Sequence, residues 1–296
     1  SRLGKVVKLP LTFCVRRDGE AQPSMTEAQS TARIATPSAS SSAVSPPIAF
    51  RDGIDIVYGP RPLLGRYFLA AEAHLAGHGL KLTFEPLETL VAINEANRDT
   101  WIPLLPLFNP AYGIPDGDGF CLIARDASGA VMATQAGRFF GWAHTNFRDE
   151  AESLRLFYAD PGAQAKPGER CRVTIPDAER ITGRVVFSGG VWCHPNVRGT
   201  GLTGILPRIS RAHALSRWAT DLTMTFFAEG VAKGGVARRA GYTDVAYDVI
   251  FENNHLEGVK VGLATMRTAD LIDDLTGALE RFDTAEVDPV FHRRAG

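Results

Sequence analysis

The sequence has few cysteines, and they follow no pattern. Cys14, Cys121, Cys171 and Cys193 lie far apart, without a CxxC pair and without a CxxC…HxxxH spacing. Zinc sites and disulfide frameworks both need cysteines at characteristic spacings. We therefore expect reduced thiols, and no metal ion is predicted.

Long apolar runs and an excess of charge of one sign are also missing. No apolar stretch reaches the roughly 18 residues that cross a bilayer, and the amino-terminal run VVKLPLTFCV is broken by Lys8 and Pro10. The 32 basic residues nearly balance 33 acidic ones, so no overall field attracts nucleic acid or an anionic membrane. We expect a cytoplasmic protein with neither partner; nothing predicts its oligomeric state.

Large apolar residues are scarce between Asp18 and Pro47, where Ser, Ala, Thr and Pro dominate. Such a segment cannot bury enough surface to offset the entropy lost on ordering. Residues 1–48 are therefore predicted to form a disordered tail, followed by an extension at 49–79. The chain as a whole is 45% hydrophobic, which is enough for a sizeable core.

After the tail, the sequence alternates between strand-like and helix-like patterns. Strands are predicted at 54–58, 81–84, 120–125, 130–136, 184–193, 221–227 and 245–251. Helices are predicted at 63–76, 86–97, 151–158, 203–218, 231–240 and 269–282. This alternation indicates an α/β fold, with a mixed, partly parallel central sheet of about six to seven strands flanked by helices. The polar residues 145–183 are predicted to form an insertion.

A glycine-rich loop follows the strand at 184–193 and precedes the helix at 203–218. Glycine lets the backbone approach a ligand closely, and unpaired N–H groups converge there with the positive end of the helix dipole. Arg198 would add a charge-assisted contact. The loop, which predicts a diphosphate site, consists of Val197, Arg198, Gly199, Thr200, Gly201 and Leu202.

Other phosphate loops fit less well. The GxxxxGK[ST] pattern is absent, whereas residues 199–204 match GxGxxG, with Glu229 at a distance suited to a ribose-binding acid. In the dinucleotide fingerprint, however, the first glycine ends the strand, and here residues 194–198 intervene. An NAD-dependent oxidoreductase and a plain strand-to-helix turn remain as alternatives.

The stretch 191–203, VWCHPNVRGTGLT, resembles the acetyl-CoA loop of the GNAT superfamily of N-acetyltransferases, Arg/Gln-x-x-Gly-x-Gly/Ala after a strand. It departs from that pattern at Thr203, and Pro207 falls in the first turns of the helix. Residues 234–242, GGVARRAGY, resemble the family's helix that ends in a Gly-Phe pair. The resemblance implies a GNAT-like acyltransferase domain at 80–265 that contains the 145–183 insertion. The carboxyl-terminal helix, in the segment 266–296, lies outside the resemblance.

The resemblance also implies how the donor would bind. Gly189 and Gly190 weaken regular strand pairing and indicate a bulge. In the family this strand separates from its neighbour at such a bulge, and the gap admits the pantetheine arm of CoA. Trp192 and Cys193 would then offer backbone contacts to that arm. Acetyl-CoA or another acyl-CoA would be the co-substrate, without a metal, and its diphosphate would bind Arg198, Gly199, Thr200, Gly201, Leu202 and Thr203.

Direct attack of an amine on the thioester, which the resemblance implies, requires a group that accepts a proton. The tyrosine that many family members use would align with Ala237, so its role is absent or moved, and Tyr242 is expected to pack. Glu229, just past a strand end, is the candidate general base; a solvated carboxylate is the alternative. Arg208 and Arg211 are predicted either to contact the ribose phosphate of CoA or to face water.

The sequence therefore predicts an N-acyltransferase that moves an acetyl or other acyl group from acyl-CoA to a primary amine of a small molecule or a protein. A long-chain acyltransferase that uses acyl-CoA or acyl carrier protein is a related alternative, with the 145–183 insertion enclosing the chain. The NAD-dependent oxidoreductase remains possible. A non-catalytic GNAT-like binding module is the fourth hypothesis, suggested by Thr203, Pro207 and the missing tyrosine.

Overall fold

A computed structural model of the chain describes residues 45–242 and 245–285. Most of the predicted tail at 1–48 and the end of the predicted segment 266–296 lie outside the described residues. Disorder of the tail therefore stays a prediction.

The described residues form nine strands and eight α-helices. The strands are β1 (Ile48–Ala49), β2 (Lys81–Glu85), β3 (Gly119–Arg125), β4 (Val131–Trp142), β5 (Arg170–Val173), β6 (Gly183–Cys193), β7 (Leu222–Ala228), β8 (Ala246–Glu252) and β9 (Val261–Arg267). The helices are α1 (Arg61–Gly77), α2 (Leu87–Ala96), α3 (Phe147–Glu152), α4 (Pro161–Gln164), α5 (Leu202–Trp218), α6 (Glu229–Lys233), α7 (Val236–Arg239) and α8 (Thr268–Ala285).

All nine strands belong to one sheet, in the order β1-β2-β3-β4-β6-β7-β9-β8-β5. Its neighbouring strands are antiparallel except for β6 and β7, which run parallel and are joined by α5. The predicted α/β class and mixed sheet are confirmed. A dinucleotide-binding fold needs a mostly parallel sheet, so this topology does not support the oxidoreductase alternative.

The predicted count of six to seven strands is too low. The two-residue β1 is too short to show a periodicity, β5 lies within the polar 145–183 insertion, and β9 was missed. The strand predicted at 54–58 is wrong. The N–H groups of Val57 and Tyr58 instead donate to the carbonyl of Ser216 near the end of α5, at 3.1 and 2.9 Å.

Two predicted helices also differ from the structure. The helix predicted at 231–240 is divided into α6 and α7, because Gly235 adopts a positive φ of 78° between them. The helix predicted at 151–158 begins earlier, where the Asn146 side chain caps α3 by accepting from the N–H of Asp149. It ends before Leu154, which has a φ of 65°.

Two apolar clusters cover the two faces of the sheet. Successive residues of β3 alternate between them: Leu122 belongs to the cluster under α1, α5 and α8, and Ile123 to the cluster under α2 and α3. Tyr67 of α1 packs in the first cluster, so the 49–79 extension contributes to the same core as the rest of the chain. The sheet is therefore covered by apolar side chains on both faces.

Candidate functional site

A β-bulge lies in β6 at the position predicted from its glycines. Between Gly189 and Trp192, β6 uses one residue more than the facing segment of β4, and Gly190 has a φ of 61°. Side chains of β4 hold the bulge: Thr134 Oγ1 donates to the Gly190 carbonyl at 2.8 Å, and Gln135 Nε2 donates to the Gly189 carbonyl at 3.1 Å. The predicted bulge is confirmed.

Beyond the bulge, the direction of the backbone groups is fixed by pairing with β4. The N–H of His194 donates to the Met132 carbonyl at 2.8 Å. Backbone groups point to opposite sides at successive residues of a strand, so Trp192 also pairs with β4, while Val191 and Cys193 direct their backbone groups toward β7. Trp192 was predicted to offer backbone contacts to a ligand, but its backbone groups face β4 and not the side of β7. Val191, whose backbone groups face β7, was not among the predicted residues.

β6 and β7 separate after a short paired segment. They pair only at Val185–Phe187 and Leu222–Met224, after which β7 pairs with β9 alone. The N–H of Glu229 donates to the carbonyl of Lys260, the residue before β9, at 2.9 Å. The same alternation then directs the backbone groups of Phe226 and Ala228 toward β6. The implied separation of the two strands is confirmed, and it leaves backbone groups of both strands facing one gap.

A cavity of about 430 Å³ occupies this gap. Its walls come from β6 and β7, from the segment 101–108, from the β8–β9 connection at His255–Val261, and from Thr203 and Pro207 on α5. The 145–183 insertion contributes no lining residue. The structure thus does not support the expectation that this insertion encloses a ligand here.

Few polar side chains line the cavity. Gln135 Nε2 donates to the carbonyls of Ala136 and Gly189 and to Ser188 Oγ, at 3.0 to 3.1 Å. Because carbonyls can only accept, the amide orientation is fixed. Gln135 Oε1 is then a buried acceptor without a partner in the described part of the chain.

Two ionisable side chains line the cavity, and both are neutral near pH 7. Burial raises the pKa of Tyr242 and lowers the pKa of His255. Tyr242 Oη and His255 Nε2 are buried and have no hydrogen-bond partner among the described residues. Among the described residues, no Asp, Glu, Lys or Arg is part of the lining. The described part of the cavity wall therefore carries no net charge.

The glycine-rich loop places free N–H groups at the start of α5. Gly199 and Gly201 have φ angles of 84° and 87°, which non-glycine residues rarely adopt. Within the described residues, the N–H groups of Gly199, Gly201, Leu202 and Thr203 donate no hydrogen bond. Thr203 also lines the cavity, so the loop and the cavity form one continuous site. Thr200 Oγ1, by contrast, is used within the loop and donates to the Val197 carbonyl at 2.7 Å.

Neither alternative predicted for Arg208 and Arg211 is correct. Asp274 of α8 accepts from Arg208 Nε and Nη2 at 2.8 Å, and from Arg211 Nη2 at 3.3 Å. Arg211 also donates to the Ala240 carbonyl at 2.6 Å. Both guanidinium groups therefore tie α5 to α8 instead of facing a ligand or water. Arg198 remains at the loop, where its Nε donates to the Cys193 carbonyl at 3.4 Å.

The structure does not bring Glu229 to the cavity. Its carboxylate accepts from Lys260 Nζ at 3.0 Å and forms an ion pair with Lys233 at 3.2 Å. Hydrogen bonds from Lys260 and Lys233 lower its pKa. A carboxylate with a lowered pKa is a weaker proton acceptor. The surroundings of Glu229 therefore favour the second interpretation, an ordinary solvated carboxylate, over a general base.

Tyr242 packs against other side chains, as expected. Its ring lies edge-to-face against Phe227, with centroids 5.8 Å apart, and Arg211 lies 4.9 Å over its face. Ala237 is buried in α7. His255 was not predicted, because a single histidine in a polar connection belongs to no motif.

No protein family model matches the sequence, and no curated protein matches it. Among solved structures, a chimera of Vibrio cholerae spermidine N-acetyltransferase SpeG and hSSAT aligns with a TM-score of 0.39 and 10% identity, covering 66% of this chain and 99% of the other. A putative acetyltransferase from Acinetobacter baylyi gives 0.39 and 10%, covering 64% and 92%. Nourseothricin acetyltransferase gives 0.33 and 14%, covering 51% and 66%. At scores this low, fold and function rest on the geometry described above.

Proposed function

We propose that the chain is an N-acyltransferase that transfers an acyl group from acyl-CoA to a primary amine. The observation that carries this proposal is the continuity of the site. Thr203 belongs both to the row of free N–H groups at the start of α5 and to the wall of the cavity between β6 and β7. A diphosphate on the loop and an arm entering the gap would therefore be parts of one ligand.

The loop suits the diphosphate of CoA. Four N–H groups, those of residues 199 and 201–203, have no partner within the described part of the chain. α5 is 17 residues long, so the positive end of its dipole adds to them. Arg198 supplies the positive charge, because Arg208 and Arg211 are bound to Asp274.

The gap suits the pantetheine arm, which carries two amide groups. Val191 on β6 and Phe226 and Ala228 on β7 direct backbone groups into the gap. An extended amide chain can pair with such groups as an added strand does. The thioester would then lie inside the cavity, sheltered from water.

Transfer requires the amine nitrogen to form a bond to the thioester carbonyl carbon, after which the C–S bond breaks and its electron pair leaves with sulfur. The amine must also lose a proton. His255 is our candidate acceptor, because it lines the cavity and its lowered pKa keeps the imidazole neutral and able to accept. Glu229 is ion-paired outside the cavity lining and is not assigned this role.

Calorimetric titration with free CoA, acetyl-CoA and NAD tests the proposal. We expect both CoA species to bind, with affinity about tenfold lower in Arg198→Ala, since one hydrogen bond to a charged group is lost. Arg170→Ala, on the edge strand β5, is the control and should bind as the wild type does. Binding of NAD alone would favour the oxidoreductase, and CoA binding without transfer to any amine would favour the binding module. Absence of CoA binding would overturn the proposal.

A further inference from the structure

We infer that the cavity receives a hydrocarbon or aromatic group carried by one of the two substrates, and that it disfavours a polycation. This inference rests on the proposed function and specifies the substrate class of the same site. It depends on how the two loop walls of the cavity are constructed and on which charges they lack.

The first wall is the segment 101–105 between α2 and β3. Ile102, Leu104 and Leu105 line the cavity and are only partly covered by the described residues. Incompletely covered apolar side chains within a concave site are typical of ligand pockets. This wall has room for apolar atoms beyond those of the described residues.

Specific hydrogen bonds hold this wall in place. Asn94 of α2, 1% exposed, donates from Nδ2 to the Ile102 carbonyl at 2.9 Å and accepts at Oδ1 from the Leu104 N–H at 3.1 Å. Trp101 stacks on Trp192 with ring centroids 6.0 Å apart. The apolar side chains of this wall are thus positioned by a buried amide and a stacked ring.

The second wall comes from the β8–β9 connection. Leu256 and Val259 line the cavity from this side, and the Leu256 N–H is fixed by Asn254 Oδ1 at 2.8 Å. His255, neutral because burial lowers its pKa, is the ionisable residue of this wall. The two walls therefore face the gap with apolar side chains and one uncharged imidazole.

Missing carboxylates argue against a polycationic substrate. The described residues that line the cavity include no Asp or Glu, so a second ammonium group of a polyamine would be buried there without a counter-charge from them. Burial of an unpaired charge is strongly unfavourable. An apolar group, by contrast, would gain about fourfold in affinity for each methylene removed from water.

The apolar group can belong to the acyl chain or to the amine, and two experiments separate these sources. The first is calorimetry with free CoA and with acetyl-, butanoyl- and hexanoyl-CoA. The second measures release of the CoA thiol from acetyl-CoA with propylamine, hexylamine, 2-phenylethylamine and spermidine. If the acyl chain fills the cavity, affinity rises about fourfold per methylene along the CoA series. If the amine does, kcat/KM rises similarly from propylamine to hexylamine.

Variants of the segment 101–105 test whether this wall causes the gain in affinity or in kcat/KM with chain length. Leu104→Asp, which introduces a charge into the wall, should abolish the chain-length gain, measured as the affinity for hexanoyl-CoA relative to the affinity for free CoA. Ile102→Ala, a milder change that only shortens a side chain, should reduce the gain. Leu69→Asp is the control, because Leu69 is 57% exposed on α1, and it should keep the full gain.

The outcomes separate this inference from the proposed function. A wild type that binds free CoA but gains nothing along either series, or that prefers spermidine to hexylamine, would overturn the inference and leave the proposed function standing. A chain-length gain that survives in both Leu104→Asp and Ile102→Ala would also overturn it. Failure of every CoA species to bind would reject the proposed function first, and the inference with it.

Discussion

Arg211 and Asp274 form an ion pair in the protein interior, with Nη2 and Oδ2 3.3 Å apart and the Arg211 side chain fully buried. Gly241 makes room for it: a Cβ on this residue would lie 2.7 Å from Asp274 Oδ2, and its φ is 93°. The Gly-Tyr pair that resembled an acyltransferase motif in sequence therefore has a packing role, joining α5, α8 and the end of α7.

Loss of the Asp274 carboxylate should destabilise the fold. Asp274→Ala leaves the buried Arg211 guanidinium, and Arg208 beside it, without a counter-charge. Removing one partner of a buried pair costs about 3 kcal/mol of unfolding free energy, which urea denaturation measures. Asp273→Ala, next to it on the exposed face of α8, should cost little. Equal losses in the two variants would contradict the role given to the pair.

Substitution of two glycines with nearly the same backbone conformation distinguishes an effect on CoA binding from an effect on stability. Gly201 and Gly129 have φ angles of 87° and 86°, and a Cβ would meet no atom within 4 Å at either position. Alanine at each should cost about 1 kcal/mol of unfolding free energy through strain. Gly201→Ala alone should also weaken CoA binding in calorimetry, because only Gly201 belongs to the loop. If Gly129→Ala weakened CoA binding as much, the loop assignment would be wrong.

His255 should control the acid side of the pH profile. Its pKa lies below 6.5, mainly because it is buried, so the base form persists to a lower pH than in a free histidine. We expect wild-type kcat to stay high below pH 6.5 and to fall in more acidic solution as the ring is protonated. His255→Gln should lower kcat by about a hundredfold and remove that limb, with CoA affinity kept. An unchanged profile in the variant would exclude the role.

Glu229→Gln should retain turnover. The carboxylate is bound by Lys260 and Lys233 and lies outside the cavity lining. Steady-state kinetics at saturating donor should give a kcat close to that of the wild type. A loss comparable to that of His255→Gln would restore Glu229 as the general base.

His213 should make the protein less stable in acid. Its ring lies 4.6 Å from the Phe84 ring and 4.7 Å from the Phe120 ring, and burial lowers its pKa to about 3. The unfolded chain takes up the proton near pH 6.5, so stability from the neutral ring is complete above that value and is lost as pH falls toward 3.

The slope attributable to His213 should be at most about 1.4 kcal/mol per pH unit. His213→Leu should remove this contribution, which denaturation at pH 7, 5 and 4 measures. An identical pH dependence in the wild type and the variant would show that the ring is protonated equally in both states.

Much of the fold was predictable where apolar spacing was regular. The helix at 203–218 matches α5, and the hairpin at 120–136 matches β3 and the first half of β4. Helical spacing, and two apolar runs joined by a glycine-containing turn, are local signals. Apolar periodicity does not predict a strand that forms only by pairing with residues far away in the sequence. β1 has two residues, and β5 becomes a strand only by pairing with β8, far along the chain.

The site divides in the same way. The loop at 199–203 was visible because positive-φ glycines ahead of a helix are a local requirement. Gly189 and Gly190 likewise signalled the bulge. Whether a side chain is free to contact a ligand depends on residues far away in the sequence. Arg208 and Arg211 are paired with Asp274 of α8. Glu229 is paired with Lys233 and Lys260.

By itself, then, the sequence determined the alternation of strands and helices, the bulge in β6 and the conformation of the loop before α5, since each follows from short-range steric and hydrophobic rules. Only the tertiary structure decided that the gap between β6 and β7 is lined by neutral, mostly apolar side chains and that His255 reaches its wall. Those features depend on burial and pairing between residues far apart in the chain, and burial is what sets both the charge state of His255 and the apolar character of the site.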